Sequence, residues 1–352
     1  MAFPNYDAFE FAKTDQSKGT TGVVVWPIYT VGGAHAAPIP GTSYNETKYL
    51  NSGTQLVDNV PNAFQMNGSP SGLVDCEGLV PIIASMMGLP TTTGTSPYTH
   101  TFNTIGTALP IIYHSNYSSA ANSTAQHSRA MVTSLVLSGQ HGNATEGKMT
   151  TQFNYISGKP EIGKANPSLS TIDKQDCLAL GSVANRATVI QFTTSGSVDI
   201  DYEDYTDAVD SLTISRNATN AAAYLSGNIE MGLAYPDAVM DFMIDFTYNA
   251  MSGGGAGTAA EPDWTGIGAA YGSTTKALPS TLGFSDTGTG TVEIYGGLIA
   301  GSDYFKLSMT GTAMLVVNEP DVNAMTAGVT MKFIGVPTIA VINTTASYAL
   351  PT

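Results

Sequence analysis

The chain has 352 residues and a formal net charge of −15, and only 12% of its residues are charged, about half the usual share. Its 13 basic residues form no Lys/Arg cluster, which argues against nucleic-acid binding by phosphate neutralisation. No apolar run is long enough for a membrane helix, and no basic segment precedes an apolar one at the N-terminus, so we expect neither a transmembrane helix nor a secretory signal.

So low a charge content indicates that partners cover much of the surface, because charge is what keeps a free monomer soluble. A secreted all-β protein would have a similar composition. The length is sufficient for two domains, each with its own core.

The first predicted feature is an extended arm at about 32–58, in a segment rich in Gly, Pro and polar residues. Long loops in compact domains are usually functional or reach a neighbouring molecule. We therefore predict that the arm contacts other subunits.

An amphipathic helix is predicted next, over 78–87, where Leu79, Ile82, Ile83 and Met86 follow the spacing i, i+3, i+4, i+7. Pro81 is tolerated only in a first turn, which places the predicted start near Gly78. Cys76 and Cys177 are predicted to be buried free thiols.

Most of the remaining sequence has the period-2 alternation of half-buried antiparallel strands. The clearest runs are Met149/Thr151/Phe153/Tyr155, Phe305/Leu307/Met309 and Val329/Met331/Phe333.

The central pattern recurs about 160 residues later. A Gly-Leu pair precedes each copy, and Val239, Phe242, Met243 and Phe246 repeat the helical spacing, which predicts a second helix over 237–248. We interpret this as domain duplication: domain 1 over 1–165, a linker over 166–176, and domain 2 over 177–352 with a Gly-rich insertion at about 250–275. The predicted fold is mainly β, with two tandem β-sandwich or barrel domains, each with one flanking α-helix.

Acidic and apolar residues alternate at Asp199, Asp201 and Glu203. A Ca²⁺ loop would need D-x-D-x-D-G spacing, which is absent. Acids on one strand do not converge as glycosidase carboxylates must. The remaining hypothesis is a solvated acidic face that could line a channel.

Catalytic motifs are absent from the sequence. The five histidines lack metal-ligand spacing, no Gly-x-Ser-x-Gly elbow occurs, and no Gly-Lys-Ser/Thr follows the Gly-rich runs. We predict a protein that is not an enzyme and has no catalytic residues, cofactor or metal site.

The order of motifs resembles the tail tube (major tail) proteins of siphophages, best over about 60–160. The resemblance is carried by Ser71-Gly72-Leu73 before the helix, Tyr98-Thr99-His100-Thr101-Phe102, Leu109-Pro110, and the run Val132-Thr133-Ser134-Leu135-Val136-Leu137. The region 250–300 departs from that pattern.

This resemblance implies a structural virion protein of the tail, assembled in the host cytoplasm, whose strands contribute to a central β-barrel lumen. A two-domain subunit implies rings of three chains with pseudo-sixfold symmetry, stacked into a tube that conducts DNA without binding it specifically. Tail terminator, tape-measure and distal tail proteins are the implied partners. The acids Asp199, Asp201 and Glu203 become candidate lumen residues.

Two alternatives stay open. One is another self-assembling tube protein, such as a secretion-type tube ring. The other is a carbohydrate-binding β-sandwich protein, which would need aromatic clusters on exposed loops; Trp26 and Trp264 alone are thin support.

Overall fold

The computed structural model of the chain describes residues 6–11, 26–28, 44–51, 54–61, 66–73, 75–106, 109, 111–116, 122–140, 147–157, 161–169, 176–180, 188–194, 199–201, 209–217, 220–224, 231–236, 241–249, 288–317 and 326–348. In these ranges the protein is mainly β, with one α-helix, and every strand pair is antiparallel.

The elements, in chain order, are β1 (Tyr6–Phe11), β2 (Trp26–Ile28), β3 (Tyr44–Asn51), β4 (Thr54–Pro61), β5 (Met66–Gly68), β6 (Ser71–Gly72), α1 (Cys76–Met87), β7 (Thr91–Gly94), β8 (Tyr98–Phe102), β9 (Ile111–Asn116), β10 (Thr124–Gln140), β11 (Thr150–Ser157), β12 (Glu161–Lys164), β13 (Val189–Thr194), β14 (Asp199–Asp201), β15 (Val209–Asn217), β16 (Asn220–Tyr224), β17 (Met231–Pro236), β18 (Asp241–Asn249), β19 (Gly288–Ala300), β20 (Asp303–Val317), β21 (Thr326–Phe333) and β22 (Thr338–Asn343).

The strands form two main sheets. The smaller has the order β2-β1-β9-β10-β12. The larger runs β14-β13-β19-β20-β21-β18-β15-β10-β11, with β5 and β6 on the outer edge of β11. On the side of β20 that carries β21, the first part of β20 pairs with β22. Strand β22 pairs in turn with β8, and β8 pairs with β7. Two hairpins, β3–β4 and β16–β17, form separate two-stranded sheets.

Strand β10 belongs to both main sheets. Its first half pairs with β9 and β12, and its second half pairs with β11 and β15. The pairing register shifts between His127 and Ala130 and again between Val132 and Ser134. Irregularities of this kind bend a strand and increase its twist, which lets one strand serve two sheets. The Val132 N–H donates to Ser85 Oγ of α1 at 3.2 Å, so the helix supplies an acceptor at the second irregularity.

Helix α1 is enclosed on nearly all sides, and only Glu77 is partly exposed. It lies against β10 and β22. The carboxylate of Asp75 caps its first turn by accepting from the Gly78 N–H, as N-cap aspartates do. The helix ends at Gly88, whose φ of 94° is one that glycine adopts without strain.

The predicted helix start at Gly78 is wrong, because α1 begins at Cys76 and Pro81 is its sixth residue. Proline at this position removes the N–H that would bond to the Glu77 carbonyl. The Tyr348 hydroxyl donates to that carbonyl at 2.9 Å. The chain's C-terminal segment therefore replaces the hydrogen bond that Pro81 cannot make, which is how this helix tolerates an interior proline.

The predicted second helix over 237–248 is also wrong, because Asp241–Asn249 is strand β18, paired on both sides with β15 and β21. The same residues carry two patterns. Alongside the helical spacing, Phe242, Ile244, Phe246 and Tyr248 alternate with polar or smaller residues, and aromatic and β-branched residues favour strands. The duplication therefore does not include a second helix at this place.

Buried apolar side chains from α1 and both main sheets form one continuous core. The predicted alternation is confirmed where side chains are described. Phe153 and Tyr155 are buried between exposed Gln152 and Asn154. Phe305, Leu307 and Met309 are likewise buried, with partly exposed residues between them, and exposed Lys332 separates the buried Met331 and Phe333.

Gly68 lies opposite the buried Tyr155 in the β5–β11 pair, and a Cβ at Gly68 would overlap the phenol ring. The ring has no room to move, because Tyr155 is 1% exposed and packs against Tyr113 at a centroid distance of 4.8 Å. We expect Gly68→Ala to lower the free energy of unfolding by about 1–3 kcal/mol through overpacking, measured by urea denaturation. Ser71→Ala, at an exposed site on β6, serves as the control and should change it by less than about 0.5 kcal/mol. Equal effects of the two substitutions would contradict this account.

The division into domains at 1–165, 166–176 and 177–352 stays a prediction. Part of the predicted arm forms the β3–β4 hairpin, while 32–43 and 52–53 lie outside the described residues, as does the Gly-rich insertion at about 250–275. Across the proposed boundary, β10 pairs with β15 and β8 pairs with β22.

Candidate functional site: the polar face of the large sheet

The candidate site is the face of the large sheet that points away from the core. Strand register places polar side-chain positions of neighbouring strands next to one another, across eight strands from β11 to β13. The described polar members are Thr150, Gln152 and Asn154 on β11; Ser134, Ser138 and Gln140 on β10; Ser211, Thr213 and Ser215 on β15; Asp245 on β18; Thr330 and Lys332 on β21; Ser308, Thr310 and Thr312 on β20; Thr289, Thr291 and Glu293 on β19; and Gln191 on β13. We call this set the polar face; Val136 and Met314 are half-buried apolar members of it.

Hydroxyl and amide groups of the polar face bond to one another across strands. Ser138 and Thr150 share a hydrogen bond of 3.0 Å between their hydroxyls, and the Asn154 amide donates to Ser134 Oγ at 2.7 Å. Thr291 and Thr310 are linked at 3.4 Å on the other side of the sheet. Such cross-strand pairs hold the side chains in place and stabilise the sheet modestly.

Charged side chains on the polar face are few. The Lys306 ammonium, beside the face on β20, lies 2.9 Å from the Glu293 carboxylate. Asp245 accepts a hydrogen bond from the Thr330 hydroxyl at 2.5 Å. The surface thus offers many neutral hydrogen-bonding groups and little net charge.

Two of the predicted lumen acids, Asp199 and Asp201, lie on β14 at the end of this sheet. Their register partners on β13 are Thr193 and Gln191, and Gln191 is a member of the polar face. Glu203 lies outside the described residues. The assignment of all three to a lumen stays a prediction.

Several strands have one unpaired edge in the described part of the chain. Strand β7 pairs only with β8, β12 only with β10, and β14 only with β13. All four residues of β7 are exposed, and Ile162 on β12 is 77% exposed. Open edges are sites where another chain can add a strand.

The Tyr-Thr-His-Thr-Phe motif on β8 has a structural role. The amide of Asn343 on β22 makes four hydrogen bonds: Oδ1 accepts from His100 Nε2 and from the Thr345 N–H, each at 3.0 Å, and Nδ2 donates to the Cys76 carbonyl at 3.1 Å and to the Tyr348 hydroxyl at 2.7 Å. Burial lowers the pKa of His100, which favours the neutral ring. These hydrogen bonds connect the segment 343–348 to α1 and β8.

We expect Tyr348→Phe to lower the free energy of unfolding by about 1–3 kcal/mol, because it leaves the Glu77 carbonyl and one Asn343 N–H without partners in a buried site. Chemical denaturation measures the loss. The control is Tyr98→Phe, which removes a hydroxyl from a half-buried ring on β8. A Tyr348→Phe variant as stable as this control would show that the network contributes nothing.

Cys76 and Cys177 are buried free thiols, as predicted. Burial raises the pKa of the Cys76 thiol well above its usual value, so its reactive thiolate form is disfavoured. Within the described ranges, no group of three or more His, Cys, Asp or Glu residues could hold a metal ion. Among the described residues, no helix is long and apolar enough to cross a membrane.

Two buried ionisable side chains, Asp75 and Arg216, were not predicted from the sequence. Asp75 is 1% exposed, its Oδ2 has no hydrogen-bond partner among the described residues, and burial raises its pKa to about 7. Arg216 on β15 is also 1% exposed, and none of its guanidinium nitrogens has a hydrogen-bond partner in those ranges. Its guanidinium carbon lies 5.5 Å from the centre of the Phe242 ring. An aspartate just before a helical pattern is an N-cap signal that could have identified Asp75, whereas Arg216 occupies a core position that only its alternation with Leu212 and Ile214 indicates.

Comparison with known proteins gives no match, either to a protein-family model or to a curated protein.

Proposed function

We propose that this chain is a structural, non-enzymatic subunit of a siphophage-type tail tube, and that its polar face lines the conduit. The observation that carries the proposal is the continuous polar face itself, which extends over eight strands opposite a single apolar core. A conduit for DNA needs a wall that stays hydrated and offers no cluster of positive charge for phosphates to bind. A surface of hydroxyls and amides with few charged groups meets both needs.

The proposed assembly is a ring of three chains with pseudo-sixfold symmetry, stacked head to tail. Support comes from the edges of β7, β12 and β14 that have no partner strand in the described part of the chain, which a neighbouring copy would cover, and from a charge content low enough for extensive contact. Terminator, tape-measure and distal tail proteins would then be its partners, and it would reside in the virion tail after assembly in the host cytoplasm.

Negative-stain electron microscopy of the purified chain tests the proposal. We expect hollow rings or tubes, and native mass spectrometry should give three chains per ring. A chain that remains monomeric at every concentration would refute self-assembly, and a ring of six chains would refute the trimeric arrangement. A secretion-type tube ring would also form tubes, so the neighbouring genes must distinguish that alternative.

The predicted lumen acids give a second test. We expect Asp199→Lys, Asp201→Lys and Glu203→Lys together to leave tubes intact but slow genome ejection, because a positive wall attracts phosphates. The delay should be largest at low salt, since screening acts beyond about 8 Å at physiological ionic strength. Ejection is followed with a DNA-binding dye, with Asp303→Lys, at an exposed acid outside the polar face, as the control. Unchanged kinetics in tubes verified by microscopy would remove these acids from the mechanism.

A further inference from the structure

A pocket of about 360 Å³ opens at one end of the large sheet, beside the turn that joins β19 and β20. It is lined by Pro97, Thr99, Tyr295, Ser302, Asp303, Tyr304, Lys306 and Ile342. The volume is within the range of small-molecule sites. Nothing in the polar face as a proposed conduit wall requires such a cavity.

Part of the lining is set by strand register. Thr99 of β8 lies opposite Ile342 of β22, Ile342 lies opposite Lys306 of β20, and Lys306 lies opposite Tyr295 of β19. Four adjacent strands therefore contribute one residue each to a single row. A site built on paired strands is held more rigidly than one built on loops.

Two tyrosines form the aromatic part of the pocket. The rings of Tyr295 and Tyr304 are half-buried, 6.2 Å apart between centroids and nearly perpendicular at 86°. The electron-rich face of an aromatic ring attracts groups that carry partial positive charge. The C–H bonds on one side of a pyranose ring are such groups, and they match the area of a phenol ring.

The charges in the pocket argue for a neutral ligand. Glu293 accepts hydrogen bonds from both the Lys306 ammonium and the Tyr295 hydroxyl, so the lysine is already compensated. The exposed carboxylate of Asp303 leaves the site with a local excess of negative charge. Phosphates and other anions are disfavoured, while Asp303 and the Ser302 and Thr99 hydroxyls can bond to hydroxyl groups of a ligand.

From this combination we infer that the pocket binds a neutral saccharide, which stacks on the ring of Tyr304 and donates hydroxyl hydrogen bonds to Asp303. The inference is independent of the proposed tube function, because it depends only on the lining of the pocket. Sugar binding and tube assembly are therefore tested separately.

Saturation-transfer NMR on the full chain detects weak sugar binding, and titration gives the affinity. The probes are glucose, galactose, N-acetylglucosamine and cellobiose, with glucuronate as the charged counterpart of glucose. We expect at least one neutral probe to bind with millimolar affinity and glucuronate to bind more weakly than glucose. Absence of a signal from all four neutral probes would overturn the inference, and so would equal binding of glucuronate and glucose.

Variants locate the site. Asp303→Ala should weaken binding about tenfold, the loss expected for one charge-assisted hydrogen bond. Tyr304→Ala should abolish the signal and Tyr304→Phe should retain it, since the ring and not the hydroxyl makes the stacking contact. Thr312→Ala, an exposed site on the same strand outside the pocket, should bind as the parent does. Binding that survives both Asp303→Ala and Tyr304→Ala would refute this location.

Discussion

Asp75→Asn is expected to make the protein more stable than the parent above pH 7 and to remove much of the parent's loss of stability between about pH 4 and 7. Asparagine has nearly the same shape as aspartate, caps helices equally well, and carries no charge. It therefore reproduces the protonated form of the buried side chain at every pH.

The sign follows from the direction of the shift. Burial raises the pKa of Asp75 from 3.8 to about 7 in the folded state, while the unfolded chain keeps the ordinary value. Below the ordinary pKa both states are protonated and nothing is lost. As the pH rises toward 7 the unfolded state ionises first, so folding loses on the order of 4 kcal/mol, at about 1.4 kcal/mol per pKa unit.

Urea denaturation at several pH values between 4 and 8 measures the effect as a difference between variant and parent. Glu77→Gln is the control, because it neutralises an acid in the same turn that is partly exposed. It should leave the dependence on pH largely in place. If Asp75→Asn shows the same pH dependence as the parent, the burial of this carboxylate has no thermodynamic consequence.

Arg216→Met should also stabilise the protein, by about 1.5–3 kcal/mol, at about 1.4 kcal/mol per pKa unit less the contact with the Phe242 ring. Burial lowers the pKa of Arg216 to about 10, which means that the folded state disfavours its charge although the group remains ionised at neutral pH. Methionine fills a similar volume without a charge to desolvate. The contact with the Phe242 ring offsets part of the cost, by about 0.5–2 kcal/mol.

The control for this substitution is Arg216→Lys, which keeps a positive charge in the same apolar row between Leu135 and Phe242. The lysine variant should gain no stability, and chemical denaturation at pH 7 compares the two. A methionine variant less stable than the parent would mean that the guanidinium is compensated in the native protein.

Local pattern was sufficient to predict much of this fold. The alternation of Phe305, Leu307 and Met309 identified the buried side of β20, and the spacing of Leu79, Ile82 and Ile83 identified α1. These signals are reliable because a side chain's direction relative to its own backbone repeats with the period of the element. Around Phe242 the sequence fits both the helical and the strand period. There the pairing with β15 and β21, which lie elsewhere in the sequence, determines that the segment is a strand.

The remaining features depend on contacts between distant segments. Tyr348 donates to a carbonyl 271 positions away, and His100 bonds to a residue 243 positions away. The alternation in the sequence predicted single rows of β11, β20 and β21, but their alignment with one another depends on register between strands far apart in the chain. The pocket has the same origin, since its row from Thr99 to Tyr295 combines four strands.

The membership of β10 in both main sheets affects how the protein unfolds. The backbone groups of β10 are hydrogen-bonded to strands of both main sheets. If β10 separates from one sheet, strands of the other sheet therefore also lose a hydrogen-bonded partner. The free energy of breaking one sheet therefore includes part of the other's, which couples them into a single cooperative unit. Its amide protons should be among the slowest in the protein to exchange with solvent, and partial opening should begin at outer strands such as β7 and β12.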